Sequence, residues 1–67
     1  MNTKAQSDQL LTEDQVSKIT ALPIRTLQNW RFQRRGLPYI KLGKSVRYKQ
    51  SVLDEYIKGR EVQVEPF

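Results

Sequence analysis

One uninterrupted stretch in the middle of the chain carries side chains suited to contacting the edges of nucleic-acid bases. From Ile24 to Arg34 no Gly or Pro interrupts a helical pattern. At about 100° per residue, one face of this helix would carry a guanidinium, two amides and a phenyl ring, from Arg25, Gln28, Asn29 and Phe32. Guanidinium and amide groups make bidentate contacts with guanine and adenine, and a phenyl ring can touch a thymine methyl group. We therefore expect Arg25, Gln28 and Asn29 to contact base edges.

The placement of charge supports the same kind of partner. The net charge is +5, yet the stretch 24–49 contains only basic residues and none of the seven acids. A solvated surface would explain one or two unbalanced cations, whereas this block holds Arg25, Arg31, Arg34, Arg35, Lys41, Lys44, Arg47 and Lys49. An uninterrupted basic block favours a polyphosphate ligand.

The composition argues against several other functions. There is no Cys and no His, so thiol or imidazole catalysis, disulfides and the commonest metal ligands are absent. No Gly-rich phosphate loop is present either, and we predict no enzyme activity, no cofactor, no metal and no small-molecule substrate. No apolar run approaches the roughly 20 residues of a membrane span. We expect a cytoplasmic protein that associates with the nucleoid when it binds DNA.

Two helices separated by a tight turn are predicted to position the base-contacting face. Thr12 and Gln15 form a capping-box pattern, so the first helix should begin after Thr12. It should end near Thr20, because Pro23 disfavours helical geometry in the residue before it. Pro23 itself suits the first position of the second helix.

The second helix should pack through its other face. Leu27 and Trp30 are expected to face the core, since a large aromatic that shares a face with leucine is usually buried. Arg31 and Arg34 lie beside that apolar stripe, where they are better placed to follow phosphates than to reach bases. For Phe32 two interpretations stay open: packing against the next element, or contact with a thymine methyl group.

The residues after Pro38 alternate, which predicts a two-stranded β-hairpin centred on Gly43 and Lys44. Its apolar face toward the helices would consist of Ile40, Leu42, Val46 and Tyr48. Its basic face would consist of Lys41, Ser45 and Arg47. A last helix should run from Gln50 or Ser51 to Lys58 and stop at Gly59.

These elements predict an α+β, mostly α fold: a small winged helix-turn-helix with a β-hairpin wing and a C-terminal helix. Residues 1–9 would form a flexible N-terminal tail and residues 10–59 the DNA-binding domain. Residues 60–67 would form a C-terminal tail that could contact a partner, because Val62 and Val64 alternate with polar residues.

Four segments resemble the phage excisionase and AlpA-like branch of the MerR-type winged helix-turn-helix proteins. They are residues 11–16 (LTEDQV), 25–30 (RTLQNW), 36–48 (GLPYIKLGKSVRY) and 52–57 (VLDEYI), and the tryptophan and the last eleven residues of the third are the most specific. The resemblance spans roughly residues 10–58. It implies a second helix in the major groove and a wing along the backbone or minor groove. The turn departs from the usual pattern, with Ala21 and Pro23 where the family has a Gly followed by a Ser or Thr cap.

Together the pattern and the resemblance predict two groups of contacts with double-stranded DNA. The helix would contribute Arg25, Thr26, Gln28, Asn29, Arg31, Phe32 and Arg34. The wing would contribute Lys41, Lys44, Ser45 and Arg47.

The resemblance implies an excisionase, or recombination directionality factor, that bends attachment-site DNA and promotes excision by an integrase. It also implies head-to-tail self-association on direct repeats. An AlpA-like regulator that binds a promoter is an alternative with the same DNA-reading module. A recombinase-interacting adaptor is an alternative from another class. RNA binding is conceivable from charge alone, but the wing lacks paired surface aromatics that read unstacked bases.

Overall fold

The computed structural model describes residues 8–64. It contains three helices, α1 (Glu13–Thr20), α2 (Ile24–Gln33) and α3 (Gln50–Gly59), and three strands, β1 (Leu10–Leu11), β2 (Ile40–Leu42) and β3 (Ser45–Lys49). The strands form an antiparallel sheet in the order β1-β3-β2. The predicted winged helix-turn-helix is confirmed. No helix within residues 8–64 is long and apolar enough to cross a membrane.

The start of α1 is the predicted capping box. The Gln15 amide N donates to Thr12 Oγ1 at 3.1 Å, and the Thr12 amide N donates to Gln15 Oε1 at 2.9 Å. These reciprocal bonds satisfy two amide groups that the first helical turn leaves without partners. The prediction that the helix begins after Thr12 and ends near Thr20 is confirmed.

The turn between α1 and α2 is held by side-chain hydroxyl groups. Ser17 Oγ donates to the Leu22 carbonyl at 2.6 Å, and the Leu22 amide donates to Thr20 Oγ1 at 3.2 Å. Ala21 has φ +62°, a left-handed conformation that glycine adopts more readily. Pro23 is the N-cap of α2 instead of its first helical residue, and its carbonyl accepts from the amide of Thr26 at 3.0 Å.

The core lies where α1, α2, α3 and β3 meet. The buried side chains of residues 8–64 are all apolar or aromatic: Leu11, Val16, Leu27, Leu37, Tyr48 and Leu53. Trp30 is half-buried and packs against this cluster, as predicted from its position beside Leu27. A core of this size is typical of a short chain, which has little interior to fill.

The sheet has one strand more than predicted. Leu10 and Leu11 pair with Lys49 and Tyr48, so β3 is the central strand instead of the edge of a two-stranded hairpin. A two-residue strand has no detectable alternation, and only its partner makes it visible. The added strand places Leu11 in the core beside Tyr48.

The predicted faces of the hairpin are wrong. The two-residue turn Gly43-Lys44 pairs Leu42 with Ser45 and Ile40 with Arg47, and residues directly opposite each other share a face. Ile40 and Leu42 therefore lie on the outer face. Of the predicted apolar set, only Val46 and Tyr48 face the helices, and the predicted basic set is divided in the same way, with Lys41 on the inner side and Ser45 and Arg47 on the outer side. The prediction placed the even-numbered residues of both strands on one face. A two-residue turn instead places the even-numbered residues of β2 on the same face as the odd-numbered residues of β3.

The start of α3 is tied to the segment before β1. The Gln50 amide donates to the Gln9 carbonyl at 2.9 Å, and the Ser51 amide donates to Asp8 Oδ1 at 3.2 Å. A carboxylate at a helix N-terminus is favoured by the exposed amides and the helix dipole. Of the predicted N-terminal tail, Asp8 and Gln9 thus contact the domain, and residues 1–7 lie outside the described part of the chain.

The other end of α3 differs from the prediction by one residue. Gly59 belongs to the helix, and Arg60 follows it as the C-cap. The Arg60 guanidinium lies 3.7 Å from the ring centroid of Tyr56. Residues 61–64 of the predicted C-terminal tail adopt neither helix nor strand, and residues 65–67 lie outside the described part.

Candidate nucleic-acid interface

The predicted base-reading face of α2 is exposed. Arg25, Gln28, Asn29 and Phe32 are all solvent-accessible, while Leu27 on the opposite side is only 1% exposed. The Phe32 ring is 84% exposed, so of its two open interpretations packing against the hairpin is excluded. An exposed phenyl group on a polar helix face is available for an apolar contact with a ligand.

The end of α2 is built around Trp30 and Gly36. Arg34 has φ +53°, and its amide donates to the carbonyls of Trp30 and Arg31. Gly36 has φ +79°, and a Cβ atom there would lie 2.5 Å from Trp30 Cε3. The chain leading to the hairpin can cross the indole ring this closely only because residue 36 has no side chain. The Arg35 guanidinium covers the same ring at 5.9 Å from its centroid.

The hairpin presents basic groups around its turn. Lys41, Lys44 and Ser45 are exposed, and Gly43 at the turn has φ +64°, which suits the first central position of a type II′ turn. Arg47 is half-buried, and its Nη1 donates to the neighbouring Val46 carbonyl at 2.8 Å. The tip of the hairpin is therefore a cationic protrusion.

Arg31 is the predicted contact whose charge is already compensated. Its Nε donates to Glu13 Oε2 at 2.8 Å and its Nη2 donates to Glu13 Oε1 at 3.3 Å. The Tyr48 hydroxyl donates to the same Glu13 Oε2 at 2.8 Å. The Arg31 side chain is 24% exposed, and its guanidinium lies 6.0 Å from the centroid of the Tyr39 ring. The structure thus places Arg31 in an internal cluster with Glu13 and Tyr48.

Electrostatics within this cluster favour the ion pair. Burial opposes ionisation of Glu13, but hydrogen bonds from Arg31 and Tyr48 together with the Arg31 charge lower its pKa below the ordinary 4.5. The hydrogen bond to Glu13 raises the pKa of Arg31, against a smaller effect of burial. Burial and the bond to Glu13 raise the pKa of the Tyr48 hydroxyl. At neutral pH the cluster therefore contains a carboxylate, a guanidinium and a neutral phenol.

The two remaining predicted helix contacts, Arg34 and Thr26, lie at opposite ends of α2. Arg34 is exposed just after α2, and Thr26 is half-buried in its first turn. Two further exposed cations, Arg35 and Lys49, belong to the basic block but were not predicted as contacts. Glu13 was not among the predicted site residues. No local signal reveals its role, because its partners lie 18 and 35 residues away.

Comparison with protein families identifies this arrangement. The family model described as "Helix-turn-helix domain" matches residues 10–61, which is most of the chain. The chain belongs to the helix-turn-helix domain family. This family includes excisionase- and AlpA-like DNA-binding proteins, so the recognition of that resemblance is confirmed. A comparison with curated proteins finds none that matches the chain.

Membership of the helix-turn-helix domain family establishes a DNA-binding protein, and the ligand is double-stranded DNA. Domains of this family are typically non-enzymatic. In helix-turn-helix proteins the second helix of the motif enters the major groove. Here that helix is α2, whose outward face carries the predicted base-reading side chains.

Proposed function

We propose that this DNA-binding protein is an excisionase, a recombination directionality factor that binds and bends attachment-site DNA so that an integrase can excise a phage or another mobile element. The observation that carries the proposal is one small domain with both an exposed reading face on α2 and a basic hairpin tip. The segment from Pro38 to Tyr48, which together with Trp30 has the most specific resemblance to the excisionase and AlpA-like proteins, contains most of this hairpin. Such a protein acts in the cytoplasm, on the nucleoid.

Sequence reading is assigned to α2. Arg25, Gln28 and Asn29 would contact base edges, Phe32 a thymine methyl group, and Thr26 and Arg34 the flanking phosphates. Within residues 8–64 the side chains of Arg25 and Asn29 make no hydrogen bond or ion pair. They can therefore bind a base without first breaking an internal contact.

Backbone binding is assigned to the hairpin. Lys41, Lys44, Ser45 and Arg47 would follow phosphates or the minor groove, and Arg47 would first release its bond to the Val46 carbonyl. A protein that contacts the duplex through both a helix and a protruding wing can stabilise a bend between them. Bending would bring distant integrase sites together.

The partner assignments follow from the same proposal. Several copies would bind head to tail on direct repeats, and an integrase would be the protein partner. Val62 and Val64 are 79% and 82% exposed, which makes the C-terminal tail the segment available for such a contact. This exposure also supports a second candidate function, that of a recombinase-interacting adaptor. If the protein is such an adaptor, deletion of residues 60–67 would abolish recombination and leave DNA affinity unchanged.

A footprint on the attachment-site and intergenic DNA flanking its gene, at two salt concentrations, tests the proposal. We expect salt-resistant protection of short direct repeats at an attachment site, and a circular-permutation gel shift that depends on the position of the site. Protection confined to a promoter, without a position effect, would favour the AlpA-like regulator. Weak, uniform protection that disappears with salt would contradict sequence-specific binding altogether.

Two substitutions distinguish contacts with base edges from contacts with DNA phosphates. Asn29→Ala should weaken binding to the protected sequence by about 1 to 3 kcal/mol and relax its sequence preference. Lys44→Ala should weaken binding to all sequences alike and reduce the salt slope by about 0.9. Lys18→Ala is the matched control, because Lys18 is an exposed lysine on α1 that pairs with Asp14 at 3.5 Å. The assignment is wrong if Lys44→Ala behaves like this control.

A further inference from the structure

The Glu13 cluster joins the two elements that would contact DNA. Glu13 is in α1, Arg31 is in α2 and Tyr48 is in β3, the strand that leads back from the hairpin tip. Both Glu13 oxygens accept hydrogen bonds, from Arg31 at 2.8 and 3.3 Å and from Tyr48 at 2.8 Å. A paired arginine and carboxylate define an orientation as well as a distance, because the two planar groups must align.

The position of the cluster in the fold explains why this alignment matters. α1 packs against both α2 and β3, so the angle between the helix and the hairpin is transmitted through α1. Tyr48 is 1% exposed and pairs with Leu11 of β1, which leaves its ring no freedom to follow a moving carboxylate. Arg31 sits one helical turn from Leu27, on the side of α2 that faces the protein.

We infer that Glu13 is a positioning residue for DNA recognition: through Arg31 and Tyr48 it holds α2 and the hairpin in the relative orientation that fits both to one duplex. Arg31 then acts inside the domain instead of on a phosphate. The inference rests on the proposed assignment of α2 and the hairpin as the two contact elements.

The first test compares two acids that are adjacent on α1. Glu13→Gln and Asp14→Asn each remove one negative charge from the first turn, but the Asp14 side chain is 61% exposed and, among residues 8–64, pairs only with Lys18. Affinity is measured for the protected DNA fragment and for a random duplex of the same length. Glu13→Gln should lose about tenfold on the protected fragment, within the roughly 5- to 150-fold range of coupling between sites, and little on random DNA. Asp14→Asn should lose no affinity for either duplex. If Glu13→Gln behaves like Asp14→Asn, Glu13 contributes nothing to DNA affinity beyond a surface charge and the inference is overturned.

The second test separates positioning from phosphate binding at Arg31. Lysine keeps the charge but cannot reproduce the paired geometry, so Arg31→Lys should lose specific affinity as Glu13→Gln does, with an unchanged salt slope. Arg34→Lys is the matched control, because Arg34 is exposed and proposed to contact a phosphate that lysine can also bind. If Arg31→Lys and Arg34→Lys both keep full specific affinity, Arg31 is a phosphate contact and the inference is overturned.

The third test uses Tyr48→Phe, a variant that we expect to stay folded. It removes one hydroxyl group from the cluster and leaves the buried ring in place, and circular dichroism is used to check that the variant is folded. Specific affinity should fall by about threefold, which corresponds to the lower part of the net value of one hydrogen bond. A folded Tyr48→Phe protein with unchanged specificity would overturn the inference. A wild-type protein that binds both duplexes equally would instead contradict the proposed function.

Discussion

Gly36→Ala tests how the hairpin is joined to α2, because it adds one methyl group where the connecting chain crosses the Trp30 ring. Its φ of +79° is unfavourable for any residue with a Cβ atom, and that atom would approach Trp30 Cε3 and Cδ2 to 2.5 and 2.6 Å. The left-handed backbone costs an alanine about 1 to 2 kcal/mol. Forcing an extra methyl group against a packed ring adds about 1 to 3 kcal/mol.

The expected loss is large relative to the stability of so short a chain. Subtracting about 0.5 to 1 kcal/mol for the smaller entropy of the unfolded alanine chain leaves a net destabilisation of about 1 to 4.5 kcal/mol for Gly36→Ala. At about 0.05 to 0.15 kcal/mol per residue, a 67-residue domain has roughly 3 to 10 kcal/mol in total. The variant should therefore retain its fold only marginally.

The assay is urea unfolding, followed by circular dichroism and by the fluorescence of Trp30, the only tryptophan. The other two glycines are matched controls. Gly43 has φ +64° but nothing within 4 Å of an added Cβ, so Gly43→Ala isolates the backbone contribution. Gly59 lies in α3 with free space around it, so Gly59→Ala should stabilise the protein by about 0.5 to 1 kcal/mol.

Equal losses for Gly36→Ala and Gly43→Ala would refute the reasoning. They would mean that the indole ring moves aside without cost and that the close contact does not hold the hairpin to α2. A larger loss for Gly36→Ala, with altered Trp30 fluorescence in the folded state, would support it.

Three further predictions concern the cluster, the turn and the reading face. Because the pKa of Glu13 is lowered in the folded protein, its contribution to stability is complete above pH 4.5 and is lost as the pH falls through the folded pKa. Glu13→Gln should thus cost about 1 to 3 kcal/mol at pH 7, and the difference from wild type should shrink in acid; a difference independent of pH would contradict the ion pair. Ala21→Gly should raise the free energy of unfolding by up to about 1 kcal/mol, since glycine adopts φ +62° without the Cβ penalty, and a decrease in urea midpoint would argue against strain there. Replacing thymines of the protected sequence by deoxyuracil should weaken wild-type binding at the base that Phe32 contacts but leave Phe32→Ala unaffected; equal effects on both proteins would exclude a methyl contact by this ring.

Short-range chemistry accounts for what could be predicted about the helices. The capping box at Thr12, the stop before Pro23 and the division of α2 into a Leu27 side and an Arg25 side all depend on residues at most four positions apart. Dihedral preferences and helical periodicity act over this distance, so the sequence alone determined these elements. The basic block could likewise be recognised from the order of the charged residues alone.

Features that depend on contacts between distant residues were decided by the tertiary structure. The pairing of Leu42 with Ser45 reversed the faces of the hairpin, because register, and not alternation within one strand, sets which residues share a face. Asp8 reaches the start of α3 across 43 positions, and Glu13 reaches Tyr48 across 35. A glutamate has the same helix propensity whether its carboxylate contacts solvent or a guanidinium group, so local sequence cannot distinguish the two. Only the packing of α1 against α2 and β3 brought Glu13, Arg31 and Tyr48 together.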